Sequence, residues 1–450
     1  MARNPNVSPP NRQHQPAPSF VPASRALEEG ARPVAPSLWH HRDFLLLWGG
    51  QALSDIGGAV SLLAYPLLVL ALTHSPAQAG FIAALRALPA MLLSLPAGAL
   101  VDRWDRRWVM LICDLVRALS MVSIPVALGL GALTIWQLYI TAVIEGSLAV
   151  VFELAESAAV AQVVAREQLE SAVARQELVE GTTSLAGPSL SGVLYTLGAM
   201  VPFVADGLSY LVSLVTLALI RTPFQGERLP EPGSVATSPR HRRPRVLTGA
   251  AQLSVGVRWV WHQPFILTMT LLMGAGAFGI SGDGLVIILL AQRQHASAAI
   301  IGLIFAAFGI GAIVGSLLVP RLKAHLTVGQ SILLARWYYV LSWPVFALFP
   351  NPLVLGAQQL GGGVVEPIED VAYFSHRLHL IPEELRGRVL SVCRLVPGTL
   401  RPLGLALTGI LIQRLGVFPT IWLQWGWLLL TTGLVTLVPQ VRRERGREAR

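Results

Sequence analysis

Gly98-Ala-Leu-Val-Asp102-Arg103-Trp-Asp105-Arg106-Arg107 separates two long apolar stretches, 81–100 and 108–129. A charged loop this short, pinned between runs of that length, does not suit a soluble turn. About twenty consecutive apolar residues cross the hydrocarbon core of a bilayer. The acid and the guanidinium groups stand so close in sequence that ion pairing is expected, among themselves or with a neighbouring helix end.

The rest of the chain has the same character. Of 450 residues, 53% are hydrophobic and 13% charged, against about a quarter charged in a soluble domain. Membrane-length stretches are expected near 44–72, 80–100, 108–130, 134–160, 173–198, 202–220, 264–290, 299–319, 329–349, 353–375, 388–412 and 417–438. The expected fold class is therefore an all-α integral membrane protein of about twelve transmembrane helices.

The net charge of +9 takes its meaning from where it falls. Arg103, Arg106 and Arg107, then Arg166, then 221–258, then Arg321 and Lys323, then Arg377, Arg386 and Arg388 occupy the even-numbered connections. The odd-numbered connections are almost bare, with Arg293 and Arg414 the exceptions. Basic residues resist translocation and mark the cytoplasmic side. Both termini are expected there, and the charge is topological, which argues against nucleic acid as a partner.

Residues 1–42 are rich in Pro, Ser, Arg and Asn without an apolar run of signal-peptide length, so a disordered cytoplasmic tail is expected. A bundle of six helices should occupy 43–221. The segment 222–262 contains Pro223, Pro230, Pro232, Pro239 and Pro244 and the cluster Arg240, Arg242, Arg243 and Arg245. It reads as a basic cytoplasmic linker ending in an amphipathic helix on the membrane surface. A second six-helix bundle should occupy 263–439, and 440–450 a basic cytoplasmic tail. Gly315-Ser-Leu-Leu-Val-Pro-Arg321-Leu-Lys323 echoes the opening motif at the corresponding place in the second half, without its acid. Cys113 and Cys393 fall in separate apolar spans and read as buried free thiols.

The opening motif (Gly, three residues, Asp-Arg, two residues, Arg-Arg) resembles the loop between helices two and three of the major facilitator superfamily. Further segments look like its bacterial efflux branch, which includes the enterobactin exporter and macrolide-efflux proteins. Gly187-Pro188-Ser-Leu-Ser191-Gly192 resembles the Gly-Pro-x-x-Gly-Gly element of proton-coupled antiporters, with Ser191 in place of a glycine. Pro202-Phe-Val-Ala-Asp206-Gly-Leu-Ser209-Tyr210, Gly256-Val-Arg258-Trp259-Val-Trp261 and Ile381-Pro382-Glu-Glu-Leu-Arg386-Gly387-Arg388 match that branch at the sixth helix, before the seventh, and between the tenth and eleventh. The resemblance covers about 40–440 and implies two pseudo-symmetric six-helix halves that rock about a midplane cavity.

It also implies a cytoplasmic gate at Gly98, Asp102, Arg103, Arg106 and Arg107, in which Asp102 meets a helix end of the other half when that side is shut. The plainer reading is that the arginines only anchor topology. Gly187, Pro188 and Gly192 are expected to form a close-packed element on the fifth helix, against the small-residue face Gly311–Gly315 of the eighth. It is either a pivot or simple packing. The glycine run from Gly274 to Gly284 could break the seventh helix beside the cavity.

Charges inside apolar spans are costly unless paired or wet, so they are the substrate and proton candidates: Asp55, Arg86, Glu145, Glu177, Glu180, Asp283, Glu366 and Arg401. Glu177 and Glu180, three residues apart, would favour sharing a proton between like charges. Asp114 and Arg117 are expected to pair with each other, and Arg401 with Glu366 or Glu369. Asp55 and Asp206 are read near the outer ends of their spans, where water is close.

The expected function is secondary active export of a small amphipathic compound such as a drug or siderophore, by alternating access and proton antiport. The alternatives are an importer or lipid flippase of the same fold, or a non-transporting membrane scaffold or sensor. No enzyme, cofactor or metal site is expected. The expected partners are a small-molecule substrate, protons and membrane lipids, with the chain a monomer in a bacterial inner membrane.

Overall fold

The computed structural model describes residues 42–101, 103–164, 168–222, 224, 249–323 and 325–437. Its first six helices are α1 (Arg42–Thr73), α2 (Pro76–Val101), α3 (Arg106–Gly129), α4 (Ile135–Val163), α5 (Leu169–Leu197) and α6 (Val201–Leu219). A short helix α7 (Gly249–Trp261) precedes α8 (Pro264–Ile280), α9 (Asp283–Arg293), α10 (Ala298–Lys323), α11 (Val328–Leu348), α12 (Pro352–Leu380), α13 (Arg386–Leu415) and α14 (Val417–Leu437). The described residues contain no strand.

Local chemistry sets many of the helix ends. Asp105 caps α3 by accepting from the Arg107 amide, Thr134 caps α4 through Gln137, and Asn351 caps α12 through Val354. Thr327 and Gln330 cap α11 reciprocally. Such caps satisfy amides that have no partner within the helix. Ten helical stretches are long and apolar enough to cross a membrane. α5 and α12, 29 residues each, complete twelve spans but are more polar, because they carry the carboxylates Glu177, Glu180, Glu366, Glu369 and Asp370.

The seventh span is two helices, α8 and α9, separated at Ser281–Gly282. Gly282 lies against the Thr408 side chain, so a larger residue there would collide with α13. The expected glycine-mediated break is present, and it places Asp283 in the first turn of α9.

Call the end of the bundle where α1 starts and α14 finishes the terminal end, and the opposite one the far end. At the far end one apolar core runs through both halves. It joins Leu63, Leu67, Leu70, Ile82, Met121, Leu138 and Phe203 to Leu285, Ile288, Ile301, Trp343, Leu355, Ile412 and Ile421. At the terminal end there are two cores. Phe44, Val109, Phe152, Ala159 and Leu217 belong to the first half, and Phe265, Met269, Ile332, Tyr373, Val389 and Val392 to the second. Among the described residues, the apolar cores of the halves are therefore joined at the far end and distinct at the terminal end.

Two helix pairs form the junction: α2 with α13, and α5 with α10. Glycines make the approach possible. A side-chain carbon at Gly80 would stand 2.7 Å from the Leu405 carbonyl, and one at Gly409 would stand 2.6 Å from that of Pro76. Gly192 and Gly302 meet in the same way between α5 and α10. Ser75 adds a hydrogen bond to Gln413 across this seam, at 3.1 Å.

The close-packed element on α5 differs from its expected arrangement. Gly187 abuts Ala59 of α1, within its own half, while the Pro188 carbonyl and Gly192 meet α10 near Gly302 and Ala298, and Gly309 meets Leu185. Gly311 and Gly315 face Leu360 and Val364 of α12 instead. Residues 302 and 309 are seven apart and share a helix face, whereas 309 and 311 project to nearly opposite sides. Ser191 donates to the Val60 carbonyl at 2.7 Å, a bond that glycine could not make.

Candidate functional site

A cavity of about 520 Å³ lies at the seam between the halves. Tyr65, Pro66 and Arg86 line it from the first half, and Asp283, Phe305 and Arg401 from the second. Three of the charges expected to be functional, Arg86, Asp283 and Arg401, thus share one space although they come from the second, seventh and eleventh spans. The Asp283 carboxylate accepts from the Gly284 amide at 2.6 Å, consistent with an acid in the first turn of a helix. Arg86 also lies over the Tyr65 ring, 5.6 Å from its centroid.

Behind Arg86 is a buried polar network centred on Glu145, itself 1% exposed. Arg117 approaches the Glu145 carboxylate at 3.3 Å, Arg86 at 3.9 Å, and the Tyr210 hydroxyl donates to it at 3.0 Å. Arg117 also donates to the Tyr210 oxygen at 2.6 Å. Arg86 donates in addition to Ser61 and to the Gly58 carbonyl. Arg86 therefore connects the cavity to Glu145. The expected Asp114–Arg117 pair is not formed. Arg117 reaches α4 instead, and Asp114 accepts from Ser213 at 2.5 Å.

Asp206 is 0% exposed, and among the described residues neither of its oxygens has a hydrogen-bond partner. Asp206 does lie near a span end, in the second turn of α6, but it is not exposed to water, because α6 packs this face against Gly57 of α1. Asp55 lies midway along α1 and is half-buried, not near an outer end.

The second half has its own buried pair. Arg336 of α11 meets Glu369 of α12 at 2.7 Å. It mirrors Arg117–Glu145, which also links the third and fourth helices of a half. Glu369 is therefore engaged by Arg336, and among the described residues Arg401 makes no ion pair with Glu366 or Glu369. Glu366 is exposed on α12. Arg336 and Tyr210 were missed from sequence, although Arg336 interrupts an apolar span as plainly as Arg117 does. Arg377, read as a loop residue, lies within α12 and is 7% exposed, because that helix continues to Leu380.

At the motif loop, Arg106 donates to the Phe224 carbonyl at 3.3 Å and Arg107 to that of Ala218 at 2.7 Å. Arg107 thus binds the last turn of α6 in its own half, where a cation suits exposed carbonyls, and Arg106 binds Phe224, beyond that helix. Arg103 is exposed, and the space around Gly98 is open. Asp102 lies outside the described residues, as do the side chains of Glu177 and Glu180.

Two six-helix halves around a charged cavity define a membrane transporter of the major facilitator type. The chain belongs to the transmembrane secretion effector family, whose model matches residues 32–448. It is similar to the multidrug efflux pump Tap of Mycolicibacterium fortuitum, at 26% identity over 386 residues, covering 84% of this chain and 90% of that protein. It is 25% identical over 187 residues to macrolide efflux protein A of Streptococcus pyogenes, covering 41% of this chain and 46% of that one. Among solved structures, a bacterial homolog of the human lysosomal transporter Spinster, inward-facing and unoccupied, superposes with a TM-score of 0.68 at 14% identity, covering 89% and 98% of the two chains. The protein is a multi-pass membrane transporter, and its fold and relatives are not those of an enzyme.

Proposed function

We propose that this transporter exports a small amphipathic compound by alternating access, driven by inward proton flow. The observation that carries the reading is the asymmetry of the cores among the described residues: one joint core at the far end, and two distinct cores at the terminal end. A rocking transporter must hold such a state and its mirror image, with the ligand cavity near the midplane. The kinship with Tap, named a multidrug efflux pump, supports the outward direction.

In this reading the terminal end is cytoplasmic, both termini lie there, and a single chain is the working unit in a bacterial inner membrane. The domain limits 43–221 and 263–439, joined by the linker 222–262, describe the two moving bodies. Glu145, Asp283 and Glu366 are the proton candidates, joined by Asp206. Protonating a carboxylate that holds Arg86 or faces Arg401 would release that guanidinium into the cavity at the seam. Gly98, Asp102, Arg103, Arg106 and Arg107 form the gate in the opposite state.

The test is transport into liposomes carrying the purified protein, screened with dyes and antibiotics under an imposed pH gradient. Movement that requires the gradient and slows at least tenfold in Asp102→Asn is expected. Movement indifferent to the gradient would remove proton coupling. No movement of any compound, in vesicles holding folded protein, would count against export.

A further inference from the structure

A second cavity, of about 510 Å³, opens within the second half, between α8, α12 and α13. Its charged lining is Asp370 and Arg377 from α12 with Arg394 and Arg401 from α13, three cations against one anion. Arg394 and Arg401 are seven residues apart, two helical turns and roughly 10 Å along one face. Arg401 also lines the cavity at the seam, so the two spaces meet at its guanidinium.

Arg377 is the unusual member. It is 7% exposed, and its Nε has no hydrogen-bond partner among the described residues. Its guanidinium is held over the rings of Tyr373 and Phe374, 4.8 and 5.3 Å from their centroids. The rings fix its plane without neutralising its charge. Elsewhere in this chain, buried arginines are neutralised at short range: Arg336 by Glu369 at 2.7 Å and Arg117 by Glu145 at 3.3 Å. Asp370 lines the same pocket but makes no close ion pair with Arg377 among the described residues. A buried guanidinium so weakly compensated is costly, and an oxyanion held by its fork of donors removes that cost. Met273, Ala277 and Pro397 supply an apolar wall beside the arginines.

We propose that this pocket receives the anionic group, a carboxylate or a phosphate, of the amphipathic compound the protein carries, which makes that compound an organic anion. The proposal rests on the transport reading above, but its test reads binding rather than movement, so either can fail alone. Arg377 and Arg394 grip the oxyanion, the apolar wall takes the adjoining hydrocarbon, and Arg401 is the next cation on the way to the seam.

The test uses the full chain in nanodiscs of neutral phospholipid, with decanoate, decyl phosphate and decylammonium as probes, followed by tryptophan fluorescence. Both anions should bind at least about tenfold tighter than decylammonium. Arg394→Gln should weaken the anions about tenfold or more, as loss of a charge-assisted bond predicts, and Arg394→Lys should restore part of the affinity. Arg394 is exposed, so this variant tests the pocket even if Arg377→Gln fails to fold. Equal binding of all three probes, or anion binding unchanged in Arg394→Gln, would overturn the proposal. In nanodiscs containing phosphatidylglycerol, the decanoate affinity should change less than about threefold. Displacement of decanoate by that lipid, lost in Arg394→Gln, would assign the pocket to a headgroup and overturn its role in substrate binding.

Discussion

Three groups converge on the carboxylate of Glu145, and replacing it would leave Arg117 buried without a counter-charge. Glu145→Gln should therefore cost about 3–5 kcal/mol, as expected when one partner of a buried ion pair is removed, and Arg336→Gln should do the same in the second half. Asp206→Asn keeps the shape of a side chain whose oxygens hold no bond among the described residues, so it should not lower stability. Denaturant midpoints of the purified variants check this contrast: equal losses in Glu145→Gln and Asp206→Asn would contradict it. At this scale the sequence was half legible. Arg86, Glu145, Asp283 and Arg401 stood out because each breaks an apolar run, and three of them share the seam cavity. Their partners were not legible. Arg117 bonds Glu145, 28 positions on, and passes over Asp114 in its own helix, because the register between neighbouring helices decides who meets whom.

Helix spans were far more legible, because twenty apolar residues in a row are a local property. Expected and observed spans differ mainly where polar residues extend a helix beyond its apolar run, as α12 does to Leu380. Which helices touch was not written locally: Gly311 and Gly315 serve α12, not α5. Two kinds of glycine follow from this. Gly311 packs inside one half, so Gly311→Leu should destabilise the fold itself, seen as a lowered melting temperature. Gly409 packs across the seam, so Gly409→Leu should open the far end and leave each half intact. Labelling of Ser75→Cys by a membrane-impermeant maleimide should then rise several-fold at an unchanged melting temperature. Both native cysteines are buried and give a low background. Unchanged labelling would show that the seam does not depend on this contact.

For the whole molecule, the joint far-end core and the distinct terminal-end cores fit one extreme of the two-state motion proposed above. Buried polar pairs lie within each half, Arg117–Glu145 and Arg336–Glu369, while the far-end seam is made mainly of small residues and hydrocarbon. That division lets the halves move as bodies, since parting the seam breaks few polar bonds, the Ser75–Gln413 bond among them. The most direct test is to lock that seam. Cysteines at Ser75 and Gln413, joined by a short reducible crosslinker, should stop gradient-driven movement of a compound found to be carried, and reduction should restore it. Full crosslinking with transport undiminished would contradict alternating access in this protein.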